Sequence, residues 1–318
     1  MKTFAHITLC VFILLALAGC NSDVFVDDFE PSVSELELDG NGDSATIRFN
    51  ASNWNLLEVY TFFGESTRYK VYDADGKLLE ENSEYPYIKG LGKIVCDNEK
   101  VDFMIERTSP DEVKITVNEN VRSVSSQFMV KASNEYESKN INITISPSDR
   151  YIFHHITYSL DAYLYDGNDT SVKERFIVYN ENHSQPFVIT FFPFRNGYRY
   201  VNFESDDWEA FRLLEEGNVS VEIPSMEEGS LVMKGEQVQY ITEYQKLPLP
   251  FPDTEEKKVT VPAYTNQAVI LLLQYEWFET EYTLYAVHPK TGKQRTIKGT
   301  LQSKMPVNYY IKRENINE

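Results

Sequence analysis

The chain has 318 residues, of which 42% are apolar and 25% are charged, a composition that predicts a folded protein of about two domains and excludes a largely disordered one. Its formal net charge is −19, which argues against a nucleic-acid-binding protein because such proteins present a positive surface. Three cysteines are too few for a disulfide-dense scaffold.

The first 19 residues predict a lipoprotein signal peptide. Lys2 supplies a positive charge, and residues 4–17 form an apolar stretch of about 14 residues, shorter than the roughly 20 needed to span a bilayer. The tetrapeptide Leu17-Ala18-Gly19-Cys20 resembles a bacterial lipobox, in which the cysteine receives a diacylglycerol. The resemblance implies that an acylated Cys20 holds the protein on a membrane. An ordinary cleaved signal peptide is the alternative.

Residues 20–32 are acidic and contain Pro31, which predicts a tether between the lipid and the folded part. From the lipobox resemblance we expect attachment at the outer membrane, and the orientation, towards the periplasm or the cell surface, stays open. Cys96 is then a lone thiol. Because residues 92–96 have the pattern of a strand, we expect this thiol to be buried and unreactive.

From residue 33 onwards, apolar and polar residues alternate with a period of two, as in Leu36–Leu38 and Ile47–Phe49. Short alternating segments separated by Gly, Asn, Asp and Pro predict antiparallel strands. A polar break follows at residues 146–150. We therefore predict an all-β chain with two antiparallel β-sandwich domains in tandem, over residues 33–147 and 148–318.

Five features are expected in the second domain. Ser205 caps a helix that ends near Gly217 and packs through Trp208, Phe211 and Leu214. The apolar run Val269–Leu273 predicts a strand buried on both faces. Asp166-Gly167 predicts a turn, and the polar segment Gln274–Tyr282 a hairpin. The Pro-rich segment Lys246–Asp253 predicts an extended connector.

Four segments of the first predicted domain carry a family resemblance: Leu36–Gly42 (LELDGNG), Ala45–Trp54 (ATIRFNASNW), Gln127–Asn134 (QFMVKASN) and Ile141–Ile145 (INITI). Through them, residues 33–146 resemble the BACON module, an immunoglobulin-like sandwich of Bacteroidetes surface proteins. The resemblance implies a spacer or a carbohydrate-associated module, and it implies a core position for Trp54.

The C-terminal segments Val259–Thr265 (VTVPAYT), Thr291–Lys293 and Ile297–Thr300 look like part of other Bacteroidetes lipoproteins of unassigned role. A Val-Pro-Ala-x-Thr strand followed by a long strand and a hairpin is also similar to the β-rich body of aerolysin-type pore formers. That similarity implies an amphipathic membrane hairpin. The candidate segment Val219–Tyr240 contains Pro224 and several glutamates, which argues against one.

No catalytic, nucleotide-binding or cofactor motif is present, and we predict a protein that is not an enzyme and binds no cofactor or metal. His154 and His155 are adjacent in a predicted strand, so they should point to opposite faces and could share a metal only across a bulge. Asp39–Asp43 (DGNGD) matches the start of a calcium loop. Position 12 is Asn50 rather than Glu, which favours a hairpin turn instead.

Aromatic residues make up 14% of the chain, and exposed Tyr and Trp side chains can stack on sugar rings. Tyr275 and Trp277 share strand parity and, with Tyr282, bracket the predicted hairpin. These three residues are the candidate ligand-binding site. The sequence thus predicts a lipid-anchored, non-enzymatic envelope protein that recognises a glycan or a partner protein. A structural subunit of a surface complex and a pore-forming protein are the alternatives.

Overall fold

The computed structural model describes residues 28–62, 67–161, 163–205, 207, 209–214 and 219–316, with only the backbone of 163–168. The chain divides into two compact units, one ending at Asp149 and the other beginning at Arg150. This division falls within the polar segment 146–150. Apart from one helical turn, every element of the described residues is a β-strand, which confirms the all-β prediction.

The first unit contains eleven strands among its described residues: β1 (Glu35–Leu38), β2 (Asp43–Arg48), β3 (Leu56–Thr61), β4 (Tyr69–Asp73), β5 (Leu78–Ser83), β6 (Tyr87–Lys89), β7 (Gly92–Asp97), β8 (Val101–Ser109), β9 (Glu112–Asn120), β10 (Ser126–Ser133) and β11 (Ser138–Ile145). They form a five-stranded sheet in the order β1-β11-β10-β3-β6 and a six-stranded sheet in the order β2-β9-β8-β7-β4-β5. All pairs are antiparallel except β1–β11, which is parallel.

The two sheets enclose one apolar core, to which alternate residues of nearly every strand contribute. Trp54 is buried in it with its ring 4.6 Å from that of Phe49, as the sequence predicted. The Arg107 guanidinium lies 3.5 Å from the Trp54 ring and donates to the Trp54 carbonyl at 2.7 Å. Cys96 is buried on β7, as expected for its position in the chain, and its lack of reactivity stays a prediction.

Two predictions for the first unit are wrong in detail. The tether was predicted to extend to residue 32, but Phe29 is fully buried and its ring lies 6.3 Å from those of Phe49 and Trp54. The sandwich core therefore includes this end of the segment. The Asp39–Asp43 turn is not a hairpin, because β1 and β2 belong to different sheets. Asp39 instead accepts from the Asn41 side chain at 2.7 Å within the turn.

The second unit contains ten strands and one helical turn among its described residues: β12 (Ile152–Tyr158), β13 (Tyr163–Tyr179), β14 (Phe187–Phe191), β15 (Tyr198–Ser205), α1 (Ala210–Leu213), β16 (Ser220–Glu227), β17 (Ser230–Gln239), β18 (Gln245–Pro248), β19 (Lys257–Val261), β20 (Asn266–Val287) and β21 (Gln294–Asn315). The main sheet has the order β12-β20-β21-β15-β18, with β13 also paired to β20. Strands β14–β19 and β16–β17 form two separate two-stranded ribbons.

The ribbons give this unit a second layer. The β14–β19 ribbon shares an apolar cluster with one end of β20, in which Val261, Val269 and Leu271 are fully buried. Buried residues alternate with half-exposed ones from Phe278 onwards, whereas Val269–Leu273 is buried almost throughout, as predicted. Near its start β20 is therefore buried on both faces, whereas from Phe278 onwards only one of its faces is buried.

The predicted hairpin at Gln274–Tyr282 is wrong, because β20 runs through it without a turn. Asp166-Gly167 is likewise not a turn, since β13 continues past it with a register shift between Tyr165 and Asp169. In both places charged or turn-forming residues lie within a strand that a long partner strand supports. The first part of the predicted connector 246–253 belongs to β18, an edge strand, where proline is tolerated.

The predicted helix is reduced to the single turn α1. Ser205 does not cap it, because Ser205 ends β15 and the N-cap position of α1 is Glu209. Phe211 stacks on Tyr240 at 4.7 Å. Trp208 and Gly217, which the prediction also used, lie outside the described residues, as does Cys20. In the described part of the chain, no helix has the length and apolar character needed to cross a membrane.

Candidate functional site

Three neighbouring strands of the second unit place one set of polar and aromatic side chains in two rows. Trp277 of β20 pairs with Lys304 of β21, which pairs with Tyr200 of β15. Two residues further along, the same strands align Glu279, Gln302 and Asn202. Because residues two apart in a strand share a face, both rows lie on the same side of the sheet, which we call the open face.

A groove of about 470 Å³ lies on the open face. Three aromatic residues border it: Trp277, Tyr200 and Tyr244, the last being 68% exposed in the connection after β17. The other open-face side chains that line it are polar or charged: Asn202, Glu279, Gln302 and Lys304. Phe278 and Ser303 also line it, but their strand parity places their side chains on the opposite face. The groove therefore combines flat aromatic surfaces with hydrogen-bonding groups at one place.

The polar row of the groove is ordered by side-chain hydrogen bonds. Gln302 donates its amide NH₂ to a Glu279 carboxylate oxygen at 3.0 Å, and Asn202 donates to the Glu204 carboxylate at 3.0 Å. Lys304 is ion-paired with Asp169, and its ammonium lies 4.9 Å from the centre of the Tyr275 ring. These contacts hold the side chains in fixed positions, which lowers the entropy cost of binding a ligand.

Two of the three sequence-predicted site residues lie on the open face. Trp277 lines the groove. Tyr275 aligns with Pro306 two residues before the Trp277–Lys304 pair, after a register shift at Gln274, and its hydroxyl accepts from Ser171 at 3.4 Å. The structure thus brings Tyr275 and Trp277 together beside Lys304, although no hairpin tip is present.

Tyr282 lies on the opposite face, which corrects its predicted place beside the other two. It is only 2% exposed and donates to the Glu204 carbonyl at 3.1 Å, while its hydroxyl shares a hydrogen bond of 2.8 Å with that of Tyr240. Trp277 and Tyr282 are five residues apart in one continuous strand, and an odd separation puts two side chains on opposite faces. Tyr282 therefore supports the packing behind the groove and is not available to a ligand there.

The β16–β17 ribbon covers that opposite face. Arg199 of β15 donates to Ser303 Oγ at 2.8 Å and, on the ribbon, to the Pro224 carbonyl at 2.8 Å and Ser225 Oγ at 3.0 Å. It also forms an ion pair with Glu236 of β17. Burial lowers the pKa of the Arg199 guanidinium, and the Glu236 carboxylate opposes that shift. This cluster fixes the ribbon directly behind the groove.

Sequence reasoning did not single out Tyr200, Asn202, Tyr244, Glu279, Gln302 or Lys304 as site residues. The alternation in residues 200–204 and 300–304 shows that alternate residues share a face. It does not show which strands become neighbours, because the β15–β21 pairing joins residues about a hundred positions apart. Only the register of three strands makes these residues one site.

The adjacent histidines do not point to opposite faces. A register shift between Phe153 and His155 breaks the alternation, and the two Nδ1 atoms lie 2.6 Å apart. Among the described residues no group of three or more His, Cys, Asp or Glu side chains is placed to hold a metal ion. His288 is buried and accepts from the backbone NH groups of Lys290 and Thr291 at 3.2 Å, which is a structural role.

Comparisons with known proteins leave the family open, since no protein-family model and no curated protein matches the chain. Solved structures match weakly. The lamprey immune protein is 11% identical, with 87% of this chain and 99% of that chain covered at a TM-score of 0.36. A Bacteroides thetaiotaomicron protein solved by NMR is 16% identical (41% and 96%, TM-score 0.24), and an aerolysin-like protein of Bombina maxima is 12% identical (50% and 96%, TM-score 0.23).

Proposed function

We propose that this chain is a lipid-anchored, non-enzymatic protein of the bacterial outer membrane that binds a saccharide on the open face of its second unit. The observation that carries this proposal is the groove in which Trp277, Tyr200 and Tyr244 border a polar row. A sugar ring has an apolar CH face and a rim of hydroxyls, so it fits a flat aromatic side chain next to hydrogen-bonding groups.

The size and openness of the groove agree with such a ligand. A volume of about 470 Å³ falls within the range of small-molecule sites. Trp277 and Tyr200 stand on either side of Lys304 in one row, so a chain of linked rings could lie across three strands. The groove is open, which suits a segment within a polymer better than a small molecule that must be enclosed.

Membrane attachment is proposed from the sequence. Acyl chains on Cys20 contribute about 0.8 kcal/mol for each buried methylene, so two or three chains hold a protein firmly. The first unit would then serve as a spacer or accessory module, as its resemblance to the BACON module implies. The Cys20→Ser variant should leave the membrane fraction for the soluble fraction, and a variant that still sediments with membranes would overturn the anchor.

The binding proposal is tested with protein that begins at residue 21, screened on a glycan array and followed by calorimetric titration. Trp277→Ala should weaken binding at least about fivefold, because stacking of a base on an aromatic ring contributes roughly 1–3 kcal/mol and we expect a sugar ring on Trp277 to behave similarly. Tyr179→Ala is the matched control, since Tyr179 is 66% exposed and lies on β13, away from the groove lining. Absence of any bound glycan, or unchanged binding by Trp277→Ala, contradicts the proposal.

One observation favours membrane permeabilisation as a second candidate function. Among the described strands, β16 and β17 pair only with each other, and their lengths of 8 and 10 residues are near the 9–11 residues with which a β-strand crosses a bilayer. Glu222, Glu227 and Glu236 within them oppose insertion into lipid. Release of a dye from liposomes by the soluble protein would support this function, and intact liposomes would leave saccharide binding as the function.

A further inference from the structure

The hydrogen bonds of the groove leave a surplus of acceptor atoms. Gln302 and Asn202 both turn amide NH₂ groups towards carboxylates, of Glu279 and Glu204 respectively. A carboxylate that accepts one hydrogen bond still has free lone pairs, and it has no donor to offer. The polar row therefore presents carboxylate and amide oxygens, and it favours a ligand that donates hydrogen bonds.

The Asn202 amide independently indicates a ligand that donates hydrogen bonds. The residue is only 4% exposed and lines the groove, and its Oδ1 atom has no hydrogen-bond partner in the described structure. The amide orientation is fixed by Glu204, because only the NH₂ group can donate to that carboxylate. Buried acceptors are nearly always paired in native proteins, so an unpaired acceptor on a residue that lines the groove favours a ligand that donates.

The charges around the groove indicate which charge the ligand should carry. Lys304 is the cation that lines the groove, and Asp169 already neutralises it. Glu279 lines the groove, and Glu204 lies beside Asn202 on the same face of β15. Aromatic faces attract cations as well, by about 0.5–2 kcal/mol. The Lys246 ammonium already lies 5.9 Å from the Tyr200 ring, whereas Trp277 borders the groove two residues from Glu279 on the same strand. Carboxylates and aromatic faces together favour a cationic group and repel an acidic one.

From these observations we infer that the groove binds a saccharide bearing a free amine, whose ammonium group lies at the Glu279 end while its ring stacks on Trp277. This inference rests on the proposed saccharide binding and adds the chemical class of the ligand. An ammonium is a pure donor with a positive charge, and it matches the acceptor-rich row in both respects. N-acetylation would remove the charge, and a sugar acid would reverse it.

The test compares three sugars of equal length by calorimetry: the glucosamine trimer, the N-acetylglucosamine trimer and the galacturonic acid trimer. The amine form should bind about tenfold more tightly than the acetylated form, the equivalent of one charge-assisted hydrogen bond. The acid form should bind weakest. The preference for the amine should fall when salt is raised from about 0.05 to 0.5 M, since salt screens the attraction.

Glu279→Gln keeps the size of the side chain and removes its charge. It should lower the amine preference severalfold, read as the ratio of the affinities for the amine and acetylated trimers. Glu135→Gln, at an exposed glutamate of the first unit, is the matched control and should change neither. A measurement on the unaltered protein at about pH 9.5 needs no variant, because an amine with a pKa of roughly 8 is then neutral and the preference should disappear.

The outcomes separate this inference from the proposed function. Equal binding of the amine and acetylated trimers, or strongest binding of the acid, overturns the amine inference and leaves saccharide binding intact. No binding of any trimer, together with an empty glycan array, overturns both. An amine preference that persists in Glu279→Gln and at about pH 9.5 overturns the assignment of the ammonium to the Glu279 end.

Discussion

Arg199 and Glu236 form an ion pair that joins the main sheet of the second unit to a ribbon with which the sheet shares no backbone ladder. Arg199 is almost fully buried, whereas about a third of the Glu236 side chain is exposed. The Arg199 guanidinium also donates to Ser225 Oγ and the Pro224 carbonyl of the ribbon and to Ser303 Oγ of the sheet. Much of the attachment of the ribbon therefore depends on one guanidinium group.

Replacing Arg199 with Met should lower the free energy of unfolding by about 2–4 kcal/mol, because a buried acceptor set and the Glu236 carboxylate lose their partner. Backbone amides of residues 220–239 should exchange hydrogen faster as well. Chemical denaturation and hydrogen exchange measure the two effects. Arg175→Met is the control, since the exposed Arg175–Glu314 pair, at 3.7 Å, should contribute less than about 1 kcal/mol.

A double variant tests the electrostatic part of this argument. Arg199→Met combined with Glu236→Leu removes both charges, and it should recover part of the stability that Arg199→Met loses. Equal losses in the Arg199 and Arg175 variants would show that the pair does not hold the ribbon.

Tyr282→Phe and Trp277→Ala should have opposite consequences, because the two residues lie on different faces of β20. Removing the Tyr282 hydroxyl breaks its bonds to Tyr240 and the Glu204 carbonyl and should cost about 1–2 kcal/mol of stability. It should leave saccharide affinity unchanged. Trp277→Ala should reduce affinity with a much smaller loss of stability. Both quantities are read by calorimetry and denaturation on the same samples, and a loss of affinity in Tyr282→Phe would contradict the two-face arrangement.

The sequence predicted the strands well because alternation of apolar and polar residues is a local property. It also placed Tyr275 and Trp277 on one face, since their parity is fixed within any strand. It failed at Tyr282 because the polar residues after Gln274 were interpreted as a turn, which removed the parity constraint. In the structure Glu279 faces the open side of an uninterrupted strand, where a charged side chain needs no turn.

The set of residues that line the groove could not be predicted from the sequence, for a different reason. Tyr200 and Trp277 come together only through β21. Strands β20 and β21 are consecutive, but β15 pairs with β21 across about a hundred residues. The bulge at His155 could not be predicted either, because nothing in the residue types at 153–155 indicates a register shift against β20. Register is decided by the partner strand and by the packing of the whole sheet.

Cys96 should remain unreactive to thiol reagents in the folded protein and react fully after unfolding. Burial raises the pKa of its thiol from 9.0 to about 12. The folded state thus keeps a proton that the unfolded state releases above about pH 9, so stability should be intact below that pH and fall as pH rises towards 12. The slope approaches about 1.4 kcal/mol per pH unit for this group.

Denaturation curves between about pH 8 and 11 measure this dependence. Cys96→Ala should be less stable at neutral pH because it leaves a small cavity, and it should lose less stability on alkaline titration than the unaltered protein does. Parallel curves for the two proteins, or rapid thiol labelling of the folded chain, would contradict the burial argument. Groups that titrate in this range away from Cys96 affect both proteins alike; Tyr69 is the exception, because Cys96 adds to the burial that raises the pKa of its hydroxyl.

Gly299→Ala should destabilise the second unit, because the strand has no room for an added methyl group at this position. An added Cβ at this position of β21 would lie 1.9 Å from the Glu204 carbonyl oxygen and 2.6 Å from the Tyr282 hydroxyl. Strand β15 and the Tyr282 side chain would both have to move, and overpacking of this kind costs about 1–3 kcal/mol or more. Lys298→Ala, at the exposed neighbouring position, should change stability by less than about 0.5 kcal/mol. Thermal unfolding of the two variants decides the matter: similar melting temperatures would mean that β15, β21 and Tyr282 are not packed as closely as the structure shows.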